Sequence, residues 1–112
     1  MLNQGRWKAE SMSRSYNQPA IQSVRVSDDT LMVELTDERG VFVPLAWFPR
    51  LLAGTRAERD MWRLIGTGSG IHWDELDEDI SVAGLLAGRA SGESQRSLQN
   101  WLTHRAAASS QP

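Results

Sequence analysis

Cysteine is absent from the 112 residues. That removes disulfides, thiolate catalysis and cysteine zinc sites at once, and it suits a reducing compartment. Histidine is reduced to His72 and His104, too far apart in sequence to form a recognisable site. Lys8 is the single lysine among 12 basic residues. Such arginine dominance suits planar, bidentate contacts and follows equally from an Arg-favouring coding bias. No apolar run approaches the roughly 18 residues of a membrane span, and residues 1–15 lack a signal-peptide core, so a cytoplasmic protein is expected. Strong net charge is missing as well: the balance is −2 with a pI near 5.6, which makes no global electrostatic case for nucleic acid.

What is present is ordinary for a folded protein. Hydrophobic residues make up 40% and charged residues 23%, which excludes wholesale disorder. A chain of this length buries roughly two thirds of its unfolded surface, enough for one modest core and one domain. Tryptophan is over-represented, with five residues against three Tyr and Phe together.

Residues 1–19 mix Gly, Ser, Asn, Gln and Pro without a period of 2 or 3.6, and read as a flexible extension whose only large apolar groups are Trp7 and Tyr16. From Ile21 the pattern alternates. Ile21, Ser23 and Arg25 fall on one side, Val24 and Val26 on the other, and beyond Asp28-Asp29-Thr30 the residues Leu31, Val33 and Leu35 alternate with Met32, Glu34 and Thr36. A second turn ending in Gly40, expected to supply a positive φ, leads to Val41-Phe42-Val43. These segments predict a three-strand antiparallel meander.

Pro44 closes the third strand, and a short helix is expected from Phe48 or Pro49 up to Gly54. Thr55 and Glu58 match a capping box. Met61–Ile65 and Ile71–Trp73 flank Gly66-Thr67-Gly68-Ser69-Gly70 and predict a hairpin. Ser81 can cap a helix over Val82–Ala87, with Gly88 beyond its end. A last helix over Glu93–Arg105 carries Leu98, Trp101 and Leu102 as a narrow apolar stripe, and Ala107–Pro112 read as a frayed tail. The fold class is therefore α+β: a small antiparallel sheet, made of a three-strand meander plus a hairpin, with short helices packed on it. The units are the extension 1–19, a single domain 20–88, and a C-terminal helix and tail 89–112. Trp47, Trp62 and Trp73 are expected in the core and Trp101 at an interface.

Four groupings raise chemistry. The glycines at 66, 68 and 70 are followed by Ile71-His72-Trp73 rather than the Lys-Ser and helix of a phosphate loop, so they read as a turn. Asp74, Glu75, Asp77, Glu78 and Asp79 form a block of charge −5 that lacks the glycine and terminal glutamate of a calcium loop, and reads as a solvated face. An alternative is an enzyme or metal site on His72, Asp74, Asp77 and Asp79. Arg50, Arg56, Arg59 and Arg63 with Trp47 and Trp62 would suit nucleic acid, although pairing with the acidic block would cancel that patch. No serine has a nucleophile-elbow context.

Several stretches carry a resemblance: Val24-x-Val26-x-Asp28-Asp29-x-Leu31, the run Val43–Leu51, Arg59 with Trp62–Gly66, and Gly70–Trp73 leading through Leu76–Val82 to Gly84-Leu85-Leu86. Over Ile21–Gly88 the chain resembles the domain-of-unknown-function 2442 family of small bacterial proteins. The resemblance implies a small α+β fold and no established activity, cofactor or catalytic residue. It also implies two family contexts, fusion to a helix-turn-helix domain and the antitoxin half of toxin-antitoxin pairs. The single helix beyond Arg89 is too little for a helix-turn-helix. The expectation is a non-enzymatic protein-binding module without cofactor or metal, antitoxin-like, with a small protein as partner and Asp74, Glu75, Asp77, Asp79, Arg59, Arg63 and Trp101 as its interaction surface. An enzyme or metal-binding domain is the alternative, and a nucleic-acid-associated regulator comes third.

Overall fold

Alternation at Leu31, Val33 and Leu35 puts three branched side chains on one face of a strand, and all three are fully buried. In the computed structural model, which describes residues 19–109, this strand is the middle of a first antiparallel sheet. β1 (Ile21–Val26), β2 (Thr30–Leu35) and β3 (Gly40–Pro44) run in the order β1-β2-β3. The expected alternation of β1 is corrected at its start. The register shifts between Ile21 and Ser23, and this bulge turns Ile21 inward, so that Ile21 and Val26 are both buried. The β2–β3 turn is also corrected: Glu38, not Gly40, takes the positive φ, at 74°.

A 3-10 turn at Leu45–Trp47 and helix α1 (Pro49–Ala53) follow, with Pro49 in the first turn. α2 (Arg56–Arg59) opens on the complete Thr55–Glu58 capping box. β4 (Trp62–Ile65) and β5 (Gly70–Trp73) pair across the glycine turn as expected, but the second sheet is not a hairpin. The acidic block bends at Asp77, whose φ is 50°, and returns as β6 (Glu78–Ser81), so the sheet has the order β4-β5-β6. Ser81 Oγ accepts the Gly84 N–H at 2.9 Å and starts α3 (Val82–Leu86), and Gly88 follows at φ 70°. Ser94 Oγ accepts from Ser97 N–H at 3.1 Å at the head of α4 (Gln95–Ser109), which runs through Ala107 and Ala108 where a frayed tail was expected. The N-terminal extension, with Trp7 and Tyr16, lies outside the described residues except for Pro19.

The core lies between the sheets and the short helices: Leu31, Val33 and Leu35 from the first sheet, Ile71, Trp73 and Ile80 from the second, and Leu45, Leu51, Leu76, Val82 and Leu85 from the connections. Gly68 joins the two sheets. Its carbonyl accepts Ile21 N–H at 2.8 Å, its φ is 104°, and a Cβ there would stand 3.0 Å from Ile21 N. The glycine run is thus a structural turn and seam. Trp73 is fully buried, with Nε1 donating to Arg59 O at 2.9 Å. Trp62 is partly buried against the core, whereas Trp47, expected to be enclosed, is 36% exposed. The 3-10 turn presents Leu45 inward, and that leaves the Trp47 ring outside.

Candidate functional site

Trp101 and the Arg105–Glu58 pair bring the C-terminal helix onto the domain, and an Arg50–Glu93 pair holds the segment just before it. Trp101 packs partly against the core, with the Arg50 guanidinium 4.9 Å and the Arg105 guanidinium 5.2 Å from its ring centroid. Arg50 comes from α1, and its Nε donates to both Glu93 carboxylate oxygens at 2.9 Å. Its Nη1 reaches Asp77 O at 3.2 Å and Asp77 Oδ2 at 3.3 Å. One side chain thereby ties α1, the β5–β6 turn and the entry to α4. Arg105 is paired with Glu58, which also holds the α2 cap, since Thr55 N–H donates to Glu58 Oε1 at 2.8 Å. The Arg105 hydrogen bond, opposed by partial burial and reinforced by the Thr55 N–H, pulls the Glu58 carboxyl down to about 2. The Arg50 hydrogen bond likewise lowers Glu93.

Two adjoining grooves open on the exposed side of this ring. The first, about 470 Å³, is lined by Arg50, Asp77, Arg96, Asn100, Trp101 and His104 among others. The second, about 480 Å³, is lined by Glu75, Trp101, His104, Arg105 and Ala108. Trp101 and His104 belong to both. Anions from the β5–β6 turn face polar and cationic groups of α4 across an indole, an arrangement suited to a large apolar side chain with charged neighbours. At the base of this region burial, only partly offset by Arg50, pushes the Glu78 carboxyl up to about 7.

The remaining expected site residues divide. Arg63 pairs with Asp74, with Nε at 3.3 Å from Oδ2. His72 lies between two carboxylates, with Nε2 2.9 Å from Asp74 Oδ1 and Nδ1 against Asp79. The Asp79 contact raises the His72 pKa, and both ring nitrogens are engaged as donors in the imidazolium form. Because the nitrogens point to opposite sides of the ring, Asp74 and Asp79 do not converge on a shared point, and Asp77 faces Arg50 instead. Among the described residues no group of three or more His, Asp or Glu is placed to hold a metal ion. Arg59, expected on the interaction surface, is buried: its Nη1 donates to Gly54 O at 2.6 Å beneath α1. Of the arginines weighed for nucleic acid, Arg50 and Arg63 pair with the acidic block, while Arg59 approaches Asp28 at 3.6 Å.

Sequence reading missed Arg50, Glu93, Glu58 and Arg105 as the fastening of α4, because these are contacts between distant segments. It could have found Arg96, Asn100 and His104, whose spacing of four puts them on one helical face beside Trp101.

The match to the family model of the protein of unknown function DUF2442 spans residues 21–91, and the chain belongs to that family. α4 lies beyond the match. No curated protein matches the chain. A crystal structure of a protein of unknown function from Rhodospirillum rubrum is similar, with 25% identity and a TM-score of 0.61 over 70% of this chain and 98% of that one. The solution structure of an uncharacterised protein from Chromobacterium violaceum shares the fold, with 22% identity and a TM-score of 0.57 over 81% of this chain and 82% of that one. Among the described residues no helix is long and apolar enough to cross a membrane.

Proposed function

We propose that this chain is a non-enzymatic, cytoplasmic protein-binding module that takes one small protein partner on the shelf around Trp101, as the antitoxin-like half of a pair. One observation carries the reading: Trp101, flanked by two guanidinium groups, lines both grooves at once. An indole fixed in this way offers a large contact at little entropic cost, which is the usual chemistry of an interface hot spot. Glu75 and Asp77 on one bank and Arg96 on the other supply opposite charges that set the orientation of a partner. The acid–base alternative at His72 draws less support, since both of its nitrogens already face carboxylates.

The test is co-expression of the chain with the small protein encoded beside it, followed by light scattering on the purified material. The expected result is a stable complex that is lost in Trp101→Ala and retained in the remote control Asp37→Ala. A complex that survives Trp101→Ala unchanged would place the binding surface elsewhere.

A further inference from the structure

Three carboxyls from separate segments meet at Arg50. Glu93, on the stretch that leads into α4, accepts from its Nε and Nη2, and Asp77, in the β5–β6 turn, accepts from Nη1. The third is Glu78. It lies opposite Trp73 at the start of β6 and shares a sheet face with the buried Ile80, so its side chain points inward at the rim of the core. Among the described residues its carboxyl makes no hydrogen bond and no ion pair. Arg50 attracts it, while Glu93, Asp77 and Asp79 repel it. A half-buried carboxyl without a donor must either stay neutral or draw a cation to itself, and the cation beside it is already holding Glu93. The joint before α4 is loose: Ser91 N–H still donates to Trp47 O at 2.9 Å, but a Cβ added at Gly92 would meet nothing within 4 Å.

From this cluster we infer that Glu78 gates the docking of α4. With the carboxyl neutral, Arg50 holds Glu93 and the helix lies on the body; with the carboxyl ionised, Arg50 is drawn inward, Glu93 is repelled, and α4 swings out about Gly92. Release opens Glu78 to water, which returns its pKa from about 7 towards the ordinary 4.5. The docked form therefore keeps a proton that the released form gives up. Between those values the balance moves towards release by up to about tenfold per pH unit, at most about 300-fold in all, and above them it levels off. Glu93 and Glu58 stay charged over this interval, because Arg50 and Arg105 hold both carboxyls below their ordinary range. The gate itself needs no partner. Only its consequence, a Trp101 shelf assembled below neutral pH and loosened above it, rests on the proposed partner site.

Hydrogen exchange of the full chain without partner, between about pH 5 and about pH 8 and corrected for the intrinsic pH dependence of amide exchange, tests the inference. The expected result is an α4 protection that is lower than that of β5 throughout and falls about tenfold or more across the range. Glu78→Gln, an isostere of the neutral carboxyl, should hold α4 protection at its low-pH level, with circular dichroism checking that the variant is folded. Protection of α4 that stays constant in the native chain would overturn the inference, as would α4 and β5 exchanging with one and the same free energy, since release would then not be a separate event. A fall that persists in Glu78→Gln would overturn it equally.

Discussion

The sheet body and the terminal helix of this protein are held in place by different forces. In the body, 15 hydrophobic side chains are buried and the largest of them, Trp73, is wholly enclosed. Among the described residues α4 contributes no fully buried side chain; Leu98, Trp101 and Leu102 are each only partly covered, Arg105 pairs with Glu58, and Arg50–Glu93 ties down the segment just before the helix. Apolar burial cannot be released piecemeal, because each side chain supports its neighbours. A helix held by half-covered side chains and ion pairs can loosen as a unit while the body stays folded. The family match ends at residue 91 and α4 begins at Gln95, so the releasable part is also the part that the family pattern does not cover.

The largest break in this comparison should come from Trp73→Ala, which removes a fully buried indole and its bond to Arg59 O. A loss of about 3–5 kcal/mol in urea unfolding is expected, enough to unfold much of a domain this small. Trp101→Ala should cost only about 1–2 kcal/mol, the scale of a half-covered ring with cation–π contacts. Equal losses in the two variants would erase the distinction.

Acid sharpens the comparison at Glu58. Its folded pKa of about 2 lies below the ordinary 4.5, so the unfolded chain binds the proton more readily between those values. The stability that Glu58 contributes is complete above about pH 4.5 and fades as the pH falls towards 2. Glu58→Gln should flatten the stability profile over that interval, read by thermal melts in a buffer series. Glu78 acts in the opposite sense. Its folded value of about 7 exceeds 4.5, so stability should decline as the pH rises between the two and level off above. Glu78→Gln should remove that decline. The smallest effect is expected at the exposed Arg63–Asp74 pair: Arg63→Gln should leave the melting temperature unchanged within error, as most surface pairs do.

The first sheet was legible because its middle strand buries Leu31, Val33 and Leu35 at a strict period of two, and the caps at Thr55 and Ser81 because their signals are local. β6 was not legible. Glu78 and Asp79 are poor strand formers, and Ile80 is the single buried side chain of that strand, so its apolar signal is one residue long. The bulge at Ile21 left no mark in the residue types either, since it alters spacing and not composition. At the site, Trp101 was legible as the lone aromatic on a helical stripe. Arg59 was misplaced because an arginine in an amphipathic segment reads as exposed, whereas here its guanidinium is needed to satisfy carbonyls at the end of α1.

Hydrogen exchange on the full chain tests most directly whether body and helix are separate units. The amides of α4 should exchange well before those of β5 in the native protein, and Trp101→Ala should abolish α4 protection while β5 protection is unchanged. If α4 and β5 exchanged with the same free energy, and both fell together in Trp101→Ala, the helix would be part of the core and the Trp101 shelf would not be a docking surface.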